Sequence, residues 1–378
     1  MLYTDAEEYR RAIPSERSRY DSVQYLRAFA ALFVLLGHSM SAVTDLCSDG
    51  KCAFVRPKWA TGSGVDLFFL ISGFIMLISS KDLFQKRGSR TTFMSRRIIR
   101  ILPLYWFATT MFVVISGLAR NDVIDLRHIA SSLLFYPWNP HANFSGITPV
   151  LSLGWTLNYE MMFYIIFSAF IYLQRTHALF WITFLLISIA TLGHFIPQNA
   201  ISIFFWSRPI ILEFAAGMLL AELAIRRRVK LPSWARLILL APLILLLWNP
   251  LPELRLARTP NELTRVIVWG GPMFCLLLAA ISGPVPVPRI FERALSRLGD
   301  SSYSLYLLHP FCITATIILF QLFHKYYGTS LYPVPVLIAA IILSCTVAIA
   351  SYSFFEKPFG AFLKDRIAVQ RRRSDLPV

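Results

Sequence analysis

The sequence predicts an all-α integral membrane protein, a polytopic bundle of about ten transmembrane helices with both termini in the cytoplasm. Three observations lead to this fold class. Of the 378 residues, 56% are hydrophobic and only 15% are charged, whereas a soluble domain carries roughly 25% charged residues. Apolar runs of the length needed to cross a bilayer, about 17–25 residues, recur along the whole chain. Lys and Arg gather in short clusters between those runs.

Ten apolar runs are predicted to be spans. They cover residues 25–43, 65–80, 101–118, 153–173, 178–196, 201–224, 234–248, 263–282, 302–322 and 334–355. A further apolar stretch at 129–137 is too short to cross, and we expect it to lie at the surface or to re-enter the membrane. The first 24 residues are polar and lack the apolar core of a cleavable signal peptide, so the first run is expected to be an uncleaved anchor.

The distribution of positive charge supports an even number of spans. If residue 1 is placed in the cytoplasm and the sides alternate, the cytoplasmic segments hold 26 Lys and Arg and the opposite segments hold eight. This imbalance is the one that the positive-inside rule requires. The same clustering, with a net charge of +16, indicates contact with anionic membrane lipids, and no nucleic-acid partner is expected.

Cysteine and histidine residues are sparse. Cys47 and Cys52 lie near each other after the first predicted span, and they can form a disulfide if that loop faces an oxidising compartment. The seven histidines are scattered, and no Cys or His spacing fits zinc. No metal is therefore expected.

Ionisable side chains within the spans are the first candidates for function, because a charge in hydrocarbon costs at least about 2.5–3.5 kcal/mol. Arg27 and His38 are eleven residues apart in the first span, so they share one helix face about 16 Å apart along the axis. A long ligand such as acyl-CoA can reach both, since Arg suits phosphate and a neutral His suits proton abstraction from a hydroxyl. Alternatively, Arg27 extends to the cytoplasmic lipid and His38 is a packed polar residue.

Two carboxylates are further candidates. Glu160, about a third of the way into the fourth span, can orient a histidine or a substrate hydroxyl, or it can neutralise an Arg of another helix. Asp66 starts the second span, where it can cap the helix or face the site. Glu213 in the sixth span is more readily explained by packing.

Two polar groups near span ends complete the candidates. Ser302, Tyr306 and His309 occupy successive turns of one helix face, where they can line a polar track or form an inter-helix hydrogen-bond cluster. Arg97 and Arg100 are three residues apart just before the third span. They can hold a phosphate or anchor the helix at the membrane surface.

Six stretches, in order, resemble the bacterial membrane acyltransferase-3 family, the O-acyltransferases of surface polysaccharides. They are YLRAFAALFVLLGH at 25–38, GVDLFFLISGF at 64–74, RRIIRILPLYW at 96–106, WTLNYEMMFY at 155–164, SYSLYLLH at 302–309 and FFEKPF at 354–359. Each stretch alone is a modest signal, but six in order are specific, and the resemblance extends from about residue 21 to 361. The chain is most similar to the short, exopolysaccharide-production type. Asn158 departs from the small or aliphatic residue frequent at its position.

The resemblance implies a bacterial inner-membrane enzyme that moves an acyl group, most often acetyl, from cytoplasmic acyl-CoA to a sugar hydroxyl. The acceptor is an exopolysaccharide or other cell-surface glycan, as polymer or lipid-linked oligosaccharide, and the polysaccharide biosynthesis machinery is an expected partner. The expected domains are a cytoplasmic segment at 1–24, a membrane acyltransferase domain at 25–355 and a basic cytoplasmic tail at 356–378.

The resemblance also implies that His38 is essential, as general base or acyl carrier, and that Arg27 is important. The expected site residues fall into three groups: catalytic His38, Glu160 and Asp66; donor-binding Arg27, Arg97 and Arg100; and substrate-binding Tyr306, His309, Ser302 and Trp155. Glu160 or Asp66 is expected to hold the His38 tautomer, and Tyr306 or an Arg to stabilise the oxyanion.

Two other classes of function remain at this stage. A transporter or flippase of glycan or lipid-linked sugar can use buried Arg, His and Glu as a substrate or proton path, although no internal repeat or pair of broken helices is visible. A structural subunit of a polysaccharide export complex predicts that His38→Ala leaves the surface glycan unchanged.

Overall fold

The computed structural model describes residues 14–47, 54, 59–120, 125–138, 148–226, 229–248, 262–285, 287–327 and 332–363. All regular secondary structure in these residues is helical, which confirms the predicted all-α class. The helices are α1 Pro14–Cys47, α2 Ser63–Ser79, α3 Ser89–Arg120, α4 Leu126–Leu133, α5 Trp155–Phe170, α6 Arg175–Gly193, α7 Ile201–Trp206, α8 Leu212–Ile225, α9 Ser233–Ile238, α10 Ala241–Trp248, α11 Glu262–Arg265, α12 Gly271–Ile281, α13 Arg289–Asp300, α14 Ser302–Tyr327 and α15 Pro333–Ser351. Two π-helical segments, Val266–Gly270 and Tyr352–Glu356, extend α11 and α15.

Each of the ten predicted spans coincides with helix. Within the described residues, seven helical segments are long and apolar enough to cross a bilayer: Asp21–Cys47, Ser89–Leu118, Arg175–Gly193, Ile201–Ile225, Leu263–Ile281, Ser302–Tyr327 and Pro333–Leu363. The shorter apolar segments Ser63–Ser79 and Ser233–Trp248 and the 16-residue α5 account for the other three predictions. The multi-pass helix bundle is confirmed, while the number of crossings and the sides of the termini stay predictions.

The structure adds detail outside the predicted spans. Helix α1 begins at Pro14, so it includes part of the predicted N-terminal segment. Helix α4 has only eight residues. It begins just before the predicted short stretch at 129–137 and ends inside it. Helix α13 was not predicted. It is amphipathic, because an Arg recurs at every fourth residue and apolar residues lie between the Arg positions. Cys47 ends α1 and is disulfide-bonded, whereas Cys52 lies outside the described residues.

The chain forms two compact units. The first contains Phe69–Arg228 and the chain from Phe355, and the second contains Ala12–Phe68 and Val229–Phe354. Helix α2 therefore contributes residues to both.

The core of the first unit is aromatic, and its helices approach closely. Phe163 stacks on Phe214 with ring centroids 4.5 Å apart, and Tyr159 stacks on Phe205 at 4.4 Å. A Cβ placed on Gly73 would overlap the carbonyl oxygen of Phe214. Small residues at such crossings are how membrane helices bring their backbones into contact.

The core of the second unit joins α1, α14 and α15. Its buried centre is aliphatic and consists of Ala31, Leu35, Leu305, Ile313, Ala340 and Ala348. Because α1 packs against α14 in this cluster, the two helices bring their polar residues close together within the same unit.

Candidate active site

His38 is exposed on a stretch of α1 that is otherwise mostly buried. Its neighbours Gly37 and Ser39 are both buried. The alternative in which His38 is a packed polar residue therefore does not describe this side chain. Arg27 lies on the same uninterrupted helix and is 4% exposed. Its Nη1 donates a hydrogen bond to Gln24 Oε1 at 3.1 Å, so Arg27 is buried instead of extended to the lipid surface.

Two glycines hold α1 against the start of α2. A Cβ on Gly64 would lie 2.7 Å from the backbone carbonyl oxygen of Ala30, and a Cβ on Gly37 would overlap the Thr61 hydroxyl. At Gly64 the obstacle is backbone, so a side chain there would push α1 and α2 apart, whereas at Gly37 the Thr61 side chain would have to move. This packing explains the glycine of the GVDLFF stretch and the glycine that precedes His38.

His309 lies beside His38. The two imidazole rings are 5.1 Å apart between centroids and are almost perpendicular, with an interplanar angle of 88°. His309 is 1% exposed and belongs to α14. Tyr306, one turn earlier, has its ring centroid 6.3 Å from that of His309 and 5.9 Å from that of Phe68. Ser302 is also buried on this helix.

Ser302, Tyr306 and His309 therefore lie on a single helix, with His309 next to His38. Pro310 follows His309 inside α14 and removes the backbone N–H that would bond to the Tyr306 carbonyl. The helix nevertheless continues to Tyr327.

Asp66 forms a buried ion pair with Arg265, which the sequence analysis did not select. The Arg265 Nη2 is 2.9 Å from Asp66 Oδ2, and Asp66 is fully buried. The Arg265 guanidinium also lies over the Trp269 ring, 5.1 Å from its centroid. Trp269 belongs to the π-helical segment that follows Arg265; such segments are frequent at functional sites. Arg265 is a single charged residue at the end of a predicted span, and it belongs to no motif that would have identified it.

In the first unit, the Arg-x-x-Arg segment and the WTLNYEMMFY stretch meet in one polar network. Glu160 Oε1 accepts hydrogen bonds from the Tyr164 hydroxyl and, at 3.2 Å, from the Ser72 hydroxyl. Arg97 is buried, and its guanidinium carbon lies 5.9 Å from the centroid of the Tyr164 ring. Its Nη2 donates to the Ser79 hydroxyl at 2.6 Å. Arg97 is thus held between helices and is not a surface anchor.

The other candidates of the first unit differ in how deeply they are buried. Trp155 is partly buried, with its ring centroid 6.3 Å from that of Phe69, and Arg100 is partly exposed. Glu213 is buried at the start of α8. Asn158, the residue that departs from the family pattern, is 1% exposed, and neither atom of its amide makes a hydrogen bond within the described residues.

The two groups offer distinct chemistry. The second unit presents an exposed imidazole beside a buried one, which is suited to proton transfer. The first unit presents a buried guanidinium next to a tyrosine–carboxylate pair, and a guanidinium is suited to anions. Among the described residues, no group of three or more His, Cys, Asp or Glu side chains is arranged to hold a metal ion.

Comparison with known proteins identifies the family of the chain. Residues 20–353 match the acyltransferase-3 family, described as an acyltransferase domain. The chain is 33% identical over 307 residues to the exopolysaccharide production protein ExoZ of Rhizobium meliloti, covering 78% of this chain and 88% of the relative. It is 23% identical over 387 residues to the O-acetyltransferase OatA of Staphylococcus aureus, covering 94% of this chain.

The chain spans 59% of the length of the staphylococcal relative. No solved structure matches. The match to the family covers most of the sequence and confirms the resemblance seen in the six stretches. It also removes the reason to prefer a transporter or an inert structural subunit. The chain belongs to the acyltransferase-3 family and is a membrane O-acyltransferase.

Proposed function

We propose that the protein transfers an acyl group, most often acetyl, from cytoplasmic acyl-CoA to a sugar hydroxyl of an exopolysaccharide or other cell-surface glycan, in the bacterial inner membrane. The observation that carries this proposal is the exposed imidazole of His38 on an otherwise mostly buried stretch of α1, next to His309. The acceptor class is supported by the 33% identity to an exopolysaccharide production protein.

In the proposed reaction, His38 is the general base. A ring nitrogen of His38 takes the proton of the sugar hydroxyl as its oxygen attacks the thioester carbonyl of acyl-CoA. The carbon–sulfur bond breaks, and the CoA thiolate takes the proton back from His38. The products are the sugar ester and CoA, and His38 returns to its neutral form.

A second route is compatible with the same residues. His38 can attack the thioester itself, carry the acyl group and then pass it to the sugar. Release of CoA from the purified protein without any glycan would support this route. A strict requirement for both substrates before CoA appears would support direct transfer.

The roles of the remaining candidates are proposals of the same kind. Arg27, buried on the helix of His38, is proposed to bind the anionic part of the donor. Tyr306 is proposed to donate a hydrogen bond to the oxyanion. In the first unit, Arg97 and Arg100 are proposed to bind phosphate, and Trp155 to contact substrate.

The test is the O-acyl content of surface polysaccharide from cells that lack the native gene. These cells carry the wild type, His38→Ala or His177→Ala, at matched membrane levels. His177 is exposed on α6 and serves as the control histidine. We expect the wild type and His177→Ala to restore acylation and His38→Ala to fail. Equal restoration by all three would show that His38 is not part of the chemistry.

A further inference from the structure

The hydrogen bond that His309 makes determines which of its nitrogens carries a proton. Nδ1 of His309 lies 3.0 Å from the backbone carbonyl oxygen of Leu305. A carbonyl oxygen can only accept, so Nδ1 is the donor and carries the hydrogen. In the neutral imidazole, Nε2 then has a lone pair and can only accept. The backbone of α14 thus makes His309 a hydrogen-bond acceptor at a defined atom.

This acceptor is buried, and no described residue donates a hydrogen bond to it. His309 is 1% exposed, and its Nε2 makes no hydrogen bond within the described residues. Buried polar atoms are rarely left in this state, because they lose their bond to water without replacement. We therefore expect Nε2 of His309 to accept a hydrogen bond from a neighbouring group, and His38 is such a neighbour.

The distance to His38 fits a direct hydrogen bond between the two rings. Two imidazoles joined by an N–H···N bond of about 3 Å have centroids roughly 5 Å apart, and the observed separation is 5.1 Å.

Both carboxylates predicted to orient His38 have other partners. Asp66 Oδ2 binds Arg265. Glu160 Oε1 accepts from Ser72 and Tyr164. The ring that the structure places next to His38 is the imidazole of His309.

We propose that His309 is the positioning residue for His38: its Nε2 accepts the N–H of His38, so that the other His38 nitrogen presents its lone pair to the sugar hydroxyl. This inference rests on the proposed function of His38 as base. When His38 takes the proton it becomes an imidazolium, and the bond to Nε2 stabilises it. The proton stays on His38 until it passes to the CoA thiolate, and His309 keeps its own tautomer throughout.

Two substitutions of His309 separate its two nitrogens. His309→Asn places an amide nitrogen near the position of Nδ1 and can keep the bond to Leu305, but it has no acceptor at the position of Nε2. His309→Gln places its amide oxygen near Nε2 and keeps the acceptor. If His309 acts only by packing, the two variants should behave alike.

The assay uses purified full-length protein in nanodiscs, acetyl-CoA labelled in the acetyl group, and polysaccharide isolated from the gene-deleted cells. We expect His309→Asn to lower kcat about a hundredfold, within the range that general-base catalysis contributes, with KM for acetyl-CoA changed less than about threefold. His309→Gln should recover about a tenth or more of the wild-type kcat. A cooperative thermal unfolding transition of each variant, compared with that of the wild type, is the control that the protein is folded.

Three results would overturn the proposal: full kcat in His309→Asn, equal losses in both variants, or a further loss when His309→Asn is added to His38→Ala. The last follows because residues that act as a unit are strongly non-additive. Failure of the underlying proposed function looks different, since His38→Ala alone would then be as active as the wild type.

Discussion

The crossing of α2 and α8 in the first unit allows a stability prediction from a single methyl group. A Cβ added to Gly217 would overlap the carbonyl oxygen of Leu70 and lie 3.0 Å from the backbone nitrogen of Phe74. Both obstacles are backbone atoms, so no side-chain rotation can relieve the overlap. Overpacking typically costs about 1–3 kcal/mol, and we expect Gly217→Ala at the upper end of that range.

This loss is measurable as a shift in thermal unfolding. At roughly 2 °C per kcal/mol for a chain of this size, about 3 kcal/mol corresponds to a decrease in Tm of roughly 6 °C. The assay is unfolding of the purified protein in one detergent, followed by tryptophan fluorescence. O-acylation in cells should fall only in proportion to the amount of folded protein.

Gly117→Ala is the matched control for this experiment. Gly117 is also within a helix, but no atom of another described element lies within 4 Å of a Cβ built on it. Alanine favours the helix over glycine by up to about 1 kcal/mol, so Tm should stay equal or rise slightly. If Gly217→Ala unfolds at the same temperature as Gly117→Ala, the two backbones are not in contact and the described crossing is wrong.

Three further predictions concern buried polar groups. Arg265→Ala should lower the free energy of unfolding by about 3–5 kcal/mol, because it leaves the Asp66 carboxylate buried without its cation. Adding Asp66→Asn should recover part of the lost Tm, and no recovery would argue against the ion pair. Tyr164→Phe should cost about 1.5–3 kcal/mol, since it removes a donor to the charged Glu160; an unchanged unfolding curve would contradict that bond. Asn158→Leu should raise Tm, because an amide without a hydrogen-bond partner among the described residues is replaced by an apolar side chain of similar size. A lower Tm would mean that the amide is hydrogen-bonded in the membrane.

Much of the fold could be predicted from hydrophobic run length. A run of about twenty apolar residues has few stable structures in lipid other than helix, so all ten predicted spans coincide with helices. Helix α13 escaped prediction because its segment was judged by charge alone. The segment has an Arg at every fourth residue, at 289, 293 and 297, with apolar residues between them. That helical period is the signal that could have identified helix α13.

The candidate site was predictable only where it lies on one helix. The four-residue spacing of Glu160 and Tyr164 places them on neighbouring turns, and the structure shows them hydrogen-bonded. The pairing of Asp66 with Arg265 joins residues 199 positions apart, which no local pattern can reveal. The same holds for His38 and His309, whose proximity depends on how α1 packs against α14.

The most direct test of the account is transfer of a radioactive acetyl group from acetyl-CoA to glycan in membranes that contain the protein. The account predicts label in the glycan with wild type and with His177→Ala, and at least about a hundredfold less with His38→Ala. Equal labelling by His38→Ala and wild type would contradict the central claim that the exposed imidazole on α1 performs the chemistry.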